Sequence, residues 1–123
     1  MKCLSVQQPW AWAIVHGPKR IENRTWKTNY RGPLLIHASK GRRRLGDYGS
    51  GEPLEADLVF GAIIGQVQLL DCVPIADVQD QRFAEGPWCW VLGNARALPA
   101  PVPYTGCIYL FDVPAEAINV PTA

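Results

Sequence analysis

The sequence has 123 residues, of which 48% are hydrophobic and 19% charged, and its formal net charge is +1. That length and balance fit one soluble domain able to bury a core without a metal or disulfide, and they exclude a disordered chain and a uniformly basic one. The longest apolar stretch, residues 58–70, is broken by Gly61, Gly65, Gln66 and Gln68, which excludes a membrane-spanning helix there.

The first ten residues lack the long apolar run of a signal peptide, so a cytoplasmic location with no membrane partner is expected. Residues 3–6 suit a short opening strand. Residues 7–17 (QQPWAWAIVHG) suit a short helix, with Pro9 in its first turn, Ala11 and Ala13 as helix formers and Gly17 as terminator. Pro18 ends that helix. Residues 21–26 read as extended chain, and the period of two puts Glu22, Arg24 and Trp26 on one side and Ile21, Asn23 and Thr25 on the other. After a turn at 28–32, residues 33–39 form a strand with Leu35 and His37 opposite Leu34 and Ile36. Residues 40–53 read as a charged, glycine-rich loop.

Residues 57–73 give the longest strand signal, long enough to call for a bulge or bend at Gly61 or Gly65. A brief helix at 74–78 follows, then a strand at 87–98 with an irregularity near Gly93 and Asn94. A proline-stiffened connection at 99–106 leads to a closing strand at 107–113. These elements predict a mainly β domain over residues 1–114, a small closed or partly open barrel covered by the N-terminal helix, with a frayed tail at 115–123.

The charge is unevenly spread. Residues 1–46 carry ten Lys and Arg against Glu22 alone, a balance of +9, and residues 47–123 carry two Arg against ten acids, a balance of −8. One basic face would suit a polyanion, whereas packing of the two halves would intermix the charges. The densest basic run is Lys40, Arg42, Arg43 and Arg44, which is able to follow a phosphate backbone. No Walker or GxGxxG pattern accompanies it.

Residues 17–26 (GPKRIENRTW) concentrate the candidate chemistry. Lys19 offers a charge or a proton-transfer group, Glu22 accepts hydrogen bonds from a base edge or orients Lys19, and Arg24 forks onto a carboxylate or phosphate. The competing reading is a solvated Glu22–Arg24 pair on a rim, with Trp26 in the core. Gln7 or Gln8 and Trp10, at the helix start, are further candidates for reading or stacking a base. Trp10, Trp12, Trp88 and Trp90 together suit a core cluster. Cys3, Cys72, Cys89 and Cys107 lack metal spacing and read as free, mostly buried thiols, and neither His16 nor His37 recruits a metal; no metal or cofactor is expected. His37 and Ser39 form only a weak nucleophile signal, without a GxSxG elbow.

Residues 4–39 resemble the opening of ASCH-domain proteins of the PUA-like superfamily. Their GxKxxExR pattern is present as Gly17, Lys19, Glu22 and Arg24, and the segments GAIIGQVQLLDC, GPWCWVL and YTGCIYLFDV extend the resemblance over most of the chain. The resemblance implies a PUA-like β-barrel with a cleft beside the N-terminal helix, lined by the motif, and RNA-related or transcription-coactivator roles. It further implies Lys19, Glu22 and Arg24 as the site, with Gly17 setting its backbone. One ASCH-like relative deacetylates N4-acetylcytidine with a lysine matching Lys19 and a threonine where this chain has Glu22; others cleave single-stranded RNA. Three functions follow as expectations: binding of single-stranded or modified RNA or of a nucleoside; hydrolysis of modified nucleosides or RNA with Lys19 and Glu22 catalytic; and adaptor binding to a protein partner.

Overall fold

The computed structural model describes residues 1–42, 51, 53–79 and 82–118, with the side chain of Arg42 outside that set. Six strands and one helix follow in order: β1 (Lys2–Gln8), α1 (Trp10–His16), β2 (Ile21–Arg24), β3 (Gly32–Arg42), β4 (Ala62–Pro74), β5 (Trp88–Pro103) and β6 (Phe111–Asp112). Short 3-10 turns occupy Glu55–Asp57, Ile75–Asp77 and Ala115–Ala117.

The strands form one sheet in the order β2-β5-β4-β3-β1-β6, in which β1 runs parallel to β3 and the other pairs are antiparallel. Of the closed or partly open barrel expected, closure is not found: the sheet is open, with β2 and β6 as its edges. It is nevertheless strongly curled. Flat strands four places apart would lie about 19 Å from one another, yet the Arg24 guanidinium on β2 donates to the Ser5 carbonyl on β1 at 2.6 Å. A side chain thus spans the gap that backbone pairing leaves.

Curvature has identifiable sources. The β3–β4 register shifts between Ile36 and His37, and β4 slips against β5 at three points, the first between Ile63 and Gly65. Both glycines expected to bend the long strand are used. Gly61, at φ +70°, turns the chain into β4. At Gly65 a Cβ would stand 2.6 Å from both Val15 methyls and 2.8 Å from the Arg96 carbonyl, so only glycine lets α1 seat on the sheet.

Strand alternation builds the core. Leu4 and Val6 of β1, Leu34, Ile36 and Ala38 of β3, and Val67 and Leu69 of β4 face α1, whose Ala11, Ile14 and Val15 are buried against them. The other face buries Cys3, Leu35 and Ile63 with Val113 and Ile118. Seven residues are too few for a stable isolated helix, so this burial is what holds α1. Residues 7 and 8, expected in the helix, belong to β1; the Gln8 side chain accepts from the Trp12 amide at 2.9 Å and donates to the Val59 carbonyl at 2.9 Å. Gly17 ends α1 at φ −117°, outside the left-handed region; its amide and that of Lys19 both donate to the Ala13 carbonyl.

Three further expectations change. Residues 40–42 continue β3 instead of opening a loop. Strand β5 runs on through Pro99, Pro101 and Pro103, where a connection was expected. Only residues 88–91 of β5 pair with β2, so the later part has a vacant edge, and prolines two apart remove N–H groups on one side of the strand alone. The expected closing strand shrinks to Phe111–Asp112, leaving Cys107, Ile108 and Tyr109 exposed. The other three thiols are buried, and burial pushes the Cys3 thiol up to about 12.

Candidate functional site

A polar cavity of about 320 Å³ opens between β1, β2, the start of α1 and residues 83–85. Three of the four motif residues meet at it. Lys19 leaves the end of α1, and Glu22 and Arg24 project from one side of β2, as the period of two requires. The Glu22 carboxylate is fixed between two cations. Its Oε2 accepts from Arg24 Nη2 at 2.8 Å and Nε at 3.1 Å, and its Oε1 lies 3.7 Å from Lys19 Nζ. Arg24 Nη2 also meets the Ser5 carbonyl, so much of its fork is committed inside the protein.

Lys19 is the unusual member. Its side chain is only 4% exposed, and its ammonium lies 5.3 Å from the Trp10 ring centroid and 5.4 Å from that of Phe83. These rings pack edge to face at 5.9 Å, and the negative face of an aromatic ring attracts a cation. Burial lowers the Lys19 pKa below its ordinary value; Glu22 and then Glu85 oppose that shift by attracting the charged form.

Phe83 and Glu85 were not among the sequence candidates. They sit about sixty residues beyond the motif, and Asn23, on the opposite side of β2 from Glu22, brings them in. The Asn23 amide donates to the Phe83 carbonyl at 2.8 Å and accepts from the amides of Glu85 and Gly86 at 2.8 and 3.0 Å. Phe83 is held at φ +65°, a conformation that costs a non-glycine residue energy and needs such anchoring.

Trp10 and Gln7 line this cavity, whereas Gln8 turns away to its contacts with Trp12 and Val59. Trp26 lies beyond the end of β2 and packs edge-on against Trp90 at 4.8 Å and Tyr109 at 5.1 Å. Trp90 is fully buried, Trp10 and Trp88 are partly buried against the core, and Trp12 instead pairs with the His16 ring. Lys40 borders a separate cavity. The Arg42 side chain, Arg43 and Arg44 lie outside the described residues. The expected charge polarity is partly intermixed: Lys2 pairs with Asp112 and Arg31 with Asp71, joining cations of the first half to acids of the second.

Among the described residues no cluster of His, Cys, Asp and Glu is arranged to hold a metal ion, and no helix is long and apolar enough to cross a membrane.

Comparison with known proteins adds the lineage. The chain is 29% identical over 120 residues to human activating signal cointegrator 1 and 36% identical to the mouse protein, in each case covering 85% of this chain. It spans about a fifth (21%) of the length of those relatives. The fold resembles the crystal structure of ASCH from Zymomonas mobilis, with a TM-score of 0.60 at 15% identity over 94% of this chain and 89% of that one. A point mutant of that protein gives 0.52 at 16% identity over 83% and 74%. The ASCH domain model matches residues 4–113, nearly the whole described chain, and the protein belongs to the ASCH domain family.

Proposed function

We propose that the protein binds single-stranded or modified RNA by admitting one splayed nucleobase, or a free nucleoside, into the Lys19–Glu22–Arg24 cavity. The observation that carries this reading is the charge balance of the walls. Lys19 and Arg24 face Glu22 and Glu85, two cations against two carboxylates. Lining charges that balance one another favour a neutral, hydrogen-bonding ligand over a bare phosphate. Trp10 and Phe83 supply the aromatic surface a base needs, and Gln7 supplies an amide at the rim. Phosphates of an RNA strand would remain outside the cavity. The membership in the ASCH family and the similarity to activating signal cointegrator 1 fit a nucleic-acid or coactivator role.

A second reading, hydrolysis of a modified nucleoside, is favoured by one observation. A buried lysine with a lowered pKa is suited to proton transfer. Lys19 is the group for that step; Glu22 is held by two cations and serves to position it.

The test is fluorescence anisotropy with a labelled single-stranded oligoribonucleotide and its duplex, for the wild type and Lys19→Ala. The reading predicts tighter binding of the single strand and at least a tenfold loss in the variant, about 1.4 kcal/mol. Equal affinity for both forms, unaffected by the substitution, contradicts it. Mass spectrometry of the same samples with N4-acetylcytidine separates binding from turnover.

A further inference from the structure

A second cavity, of about 650 Å³, lies on the other side of Ser5, bounded by Ser39, Lys40, Gly61 and residues 103–108. Ser5 borders both cavities. Its neighbour there is His37, which stands directly across the parallel β1–β3 pair, so the two side chains project from the same face.

The imidazole is held at both nitrogens. His37 Nε2 lies 2.7 Å from the Tyr104 carbonyl, and Nδ1 lies 3.0 Å from Ser5 Oγ. A carbonyl only accepts, so Nε2 carries the hydrogen. In the neutral ring Nδ1 is then the acceptor, and the Ser5 hydroxyl donates to it. This is the relation of a serine nucleophile to its base, with a third group orienting the ring. His37 is 2% exposed, and the Phe111 ring packs edge-on against it at 6.2 Å.

The neighbouring chain fits the same chemistry. A Cβ on Gly106 would stand 2.4 Å from Ser5 Oγ and 2.7 Å from His37 Cε1, so glycine is what lets residues 104–108 pass close to the pair. The amides of Gly106 and Cys107 meet no acceptor among the described residues. Pro103, Tyr104 and Ile108 give the cavity an apolar wall, and its volume lies in the range of small-molecule sites.

We propose that Ser5 and His37 form a second, hydrolytic site that acts on small carboxylic esters entering this cavity. Ser5 Oγ attacks the ester carbonyl carbon while its proton passes to His37 Nδ1. The Tyr104 carbonyl, accepting from Nε2–H, stabilises the imidazolium. The C–O bond to the alcohol breaks, and His37 returns the proton to the departing alkoxide. Water, deprotonated by the same nitrogen, then cleaves the Ser5 acyl ester, releasing a carboxylic acid and restoring the serine hydroxyl.

The test is labelling of the full chain with an alkyl fluorophosphonate, in which Ser5 oxygen binds phosphorus and fluoride leaves with the proton. Intact-mass and peptide analysis should place one adduct on Ser5. Ser5→Ala should remove it, and His37→Asn should slow it by about a hundredfold or more. A folded wild type that remains unlabelled at Ser5 after overnight incubation overturns the proposal, as does an unchanged rate in His37→Asn. If His37→Asn does not fold, Ser5→Cys decides. A histidine-paired thiol should react with iodoacetamide at pH 6 faster than the exposed Cys107, and a slower reaction contradicts the pairing.

Discussion

Arg24 Nη2 lies 2.8 Å from Glu22 Oε2 and 2.6 Å from the Ser5 carbonyl, so one guanidinium both neutralises the acid of the cavity and ties β2 to β1. The motif acid and base therefore have a structural role in closing the curl of the sheet, besides lining the site.

Glu22→Gln tests that role. The Glu22 and Arg24 side chains are 10% and 19% exposed, and Lys19 is buried beside them. Removing the one carboxylate they share leaves two cations poorly solvated, and stability should fall by about 3 kcal/mol. Denaturant unfolding checks it. A change below about 0.5 kcal/mol would mean that the pair behaves as a solvated surface contact.

Lys19 gives a prediction with a defined sign in pH. Its folded pKa is lowered from 10.5, chiefly by burial, so the unfolded chain holds that proton more tightly. Stability from this group therefore rises with pH across the window between the lowered folded value and 10.5. Lys19→Met keeps an unbranched side chain of similar length and removes the titration. Wild type should gain on the variant as pH rises through that window, measured by unfolding at several pH values. A wild type that loses ground over the same range contradicts the burial account.

Asn23 should prove to be a positioning residue. Asn23→Ala removes three hydrogen bonds to residues 83–86 and leaves Phe83 without its anchor at positive φ. A loss of about 2 kcal/mol in stability is expected. Amide exchange should quicken at residues 83–86 while the β3–β4 pair stays protected. Uniform loss of protection would place Asn23 in the global core instead.

Much of this site was legible in the sequence because its parts are local. Lys19, Glu22 and Arg24 lie within six positions, and strand alternation alone puts the last two on one side. The bend at Gly61 and the bulge beside Gly65 followed from a strand signal too long for a straight strand. What escaped depends on pairing between distant segments. Phe83 reaches Lys19 through an amide on β2, and Ser5 meets His37 only because β1 and β3 pair in parallel. The prolines of β5 read as a connection, since a sequence does not reveal which strand edge is vacant. Cys107 looked like strand interior by composition, but β6 pairs over two residues only, so the apolar run before it stays exposed.

The most direct test of the central claim, a neutral nucleobase site at Lys19, is a backbone and indole NMR titration with cytidine, N4-acetylcytidine and inorganic phosphate at low and high salt. The account predicts shifts at Trp10, Lys19, Phe83 and Glu85 with a nucleoside, little changed by salt, and none of comparable size with phosphate. Shifts from phosphate alone, vanishing as salt is raised, would contradict it and make the cavity an anion site.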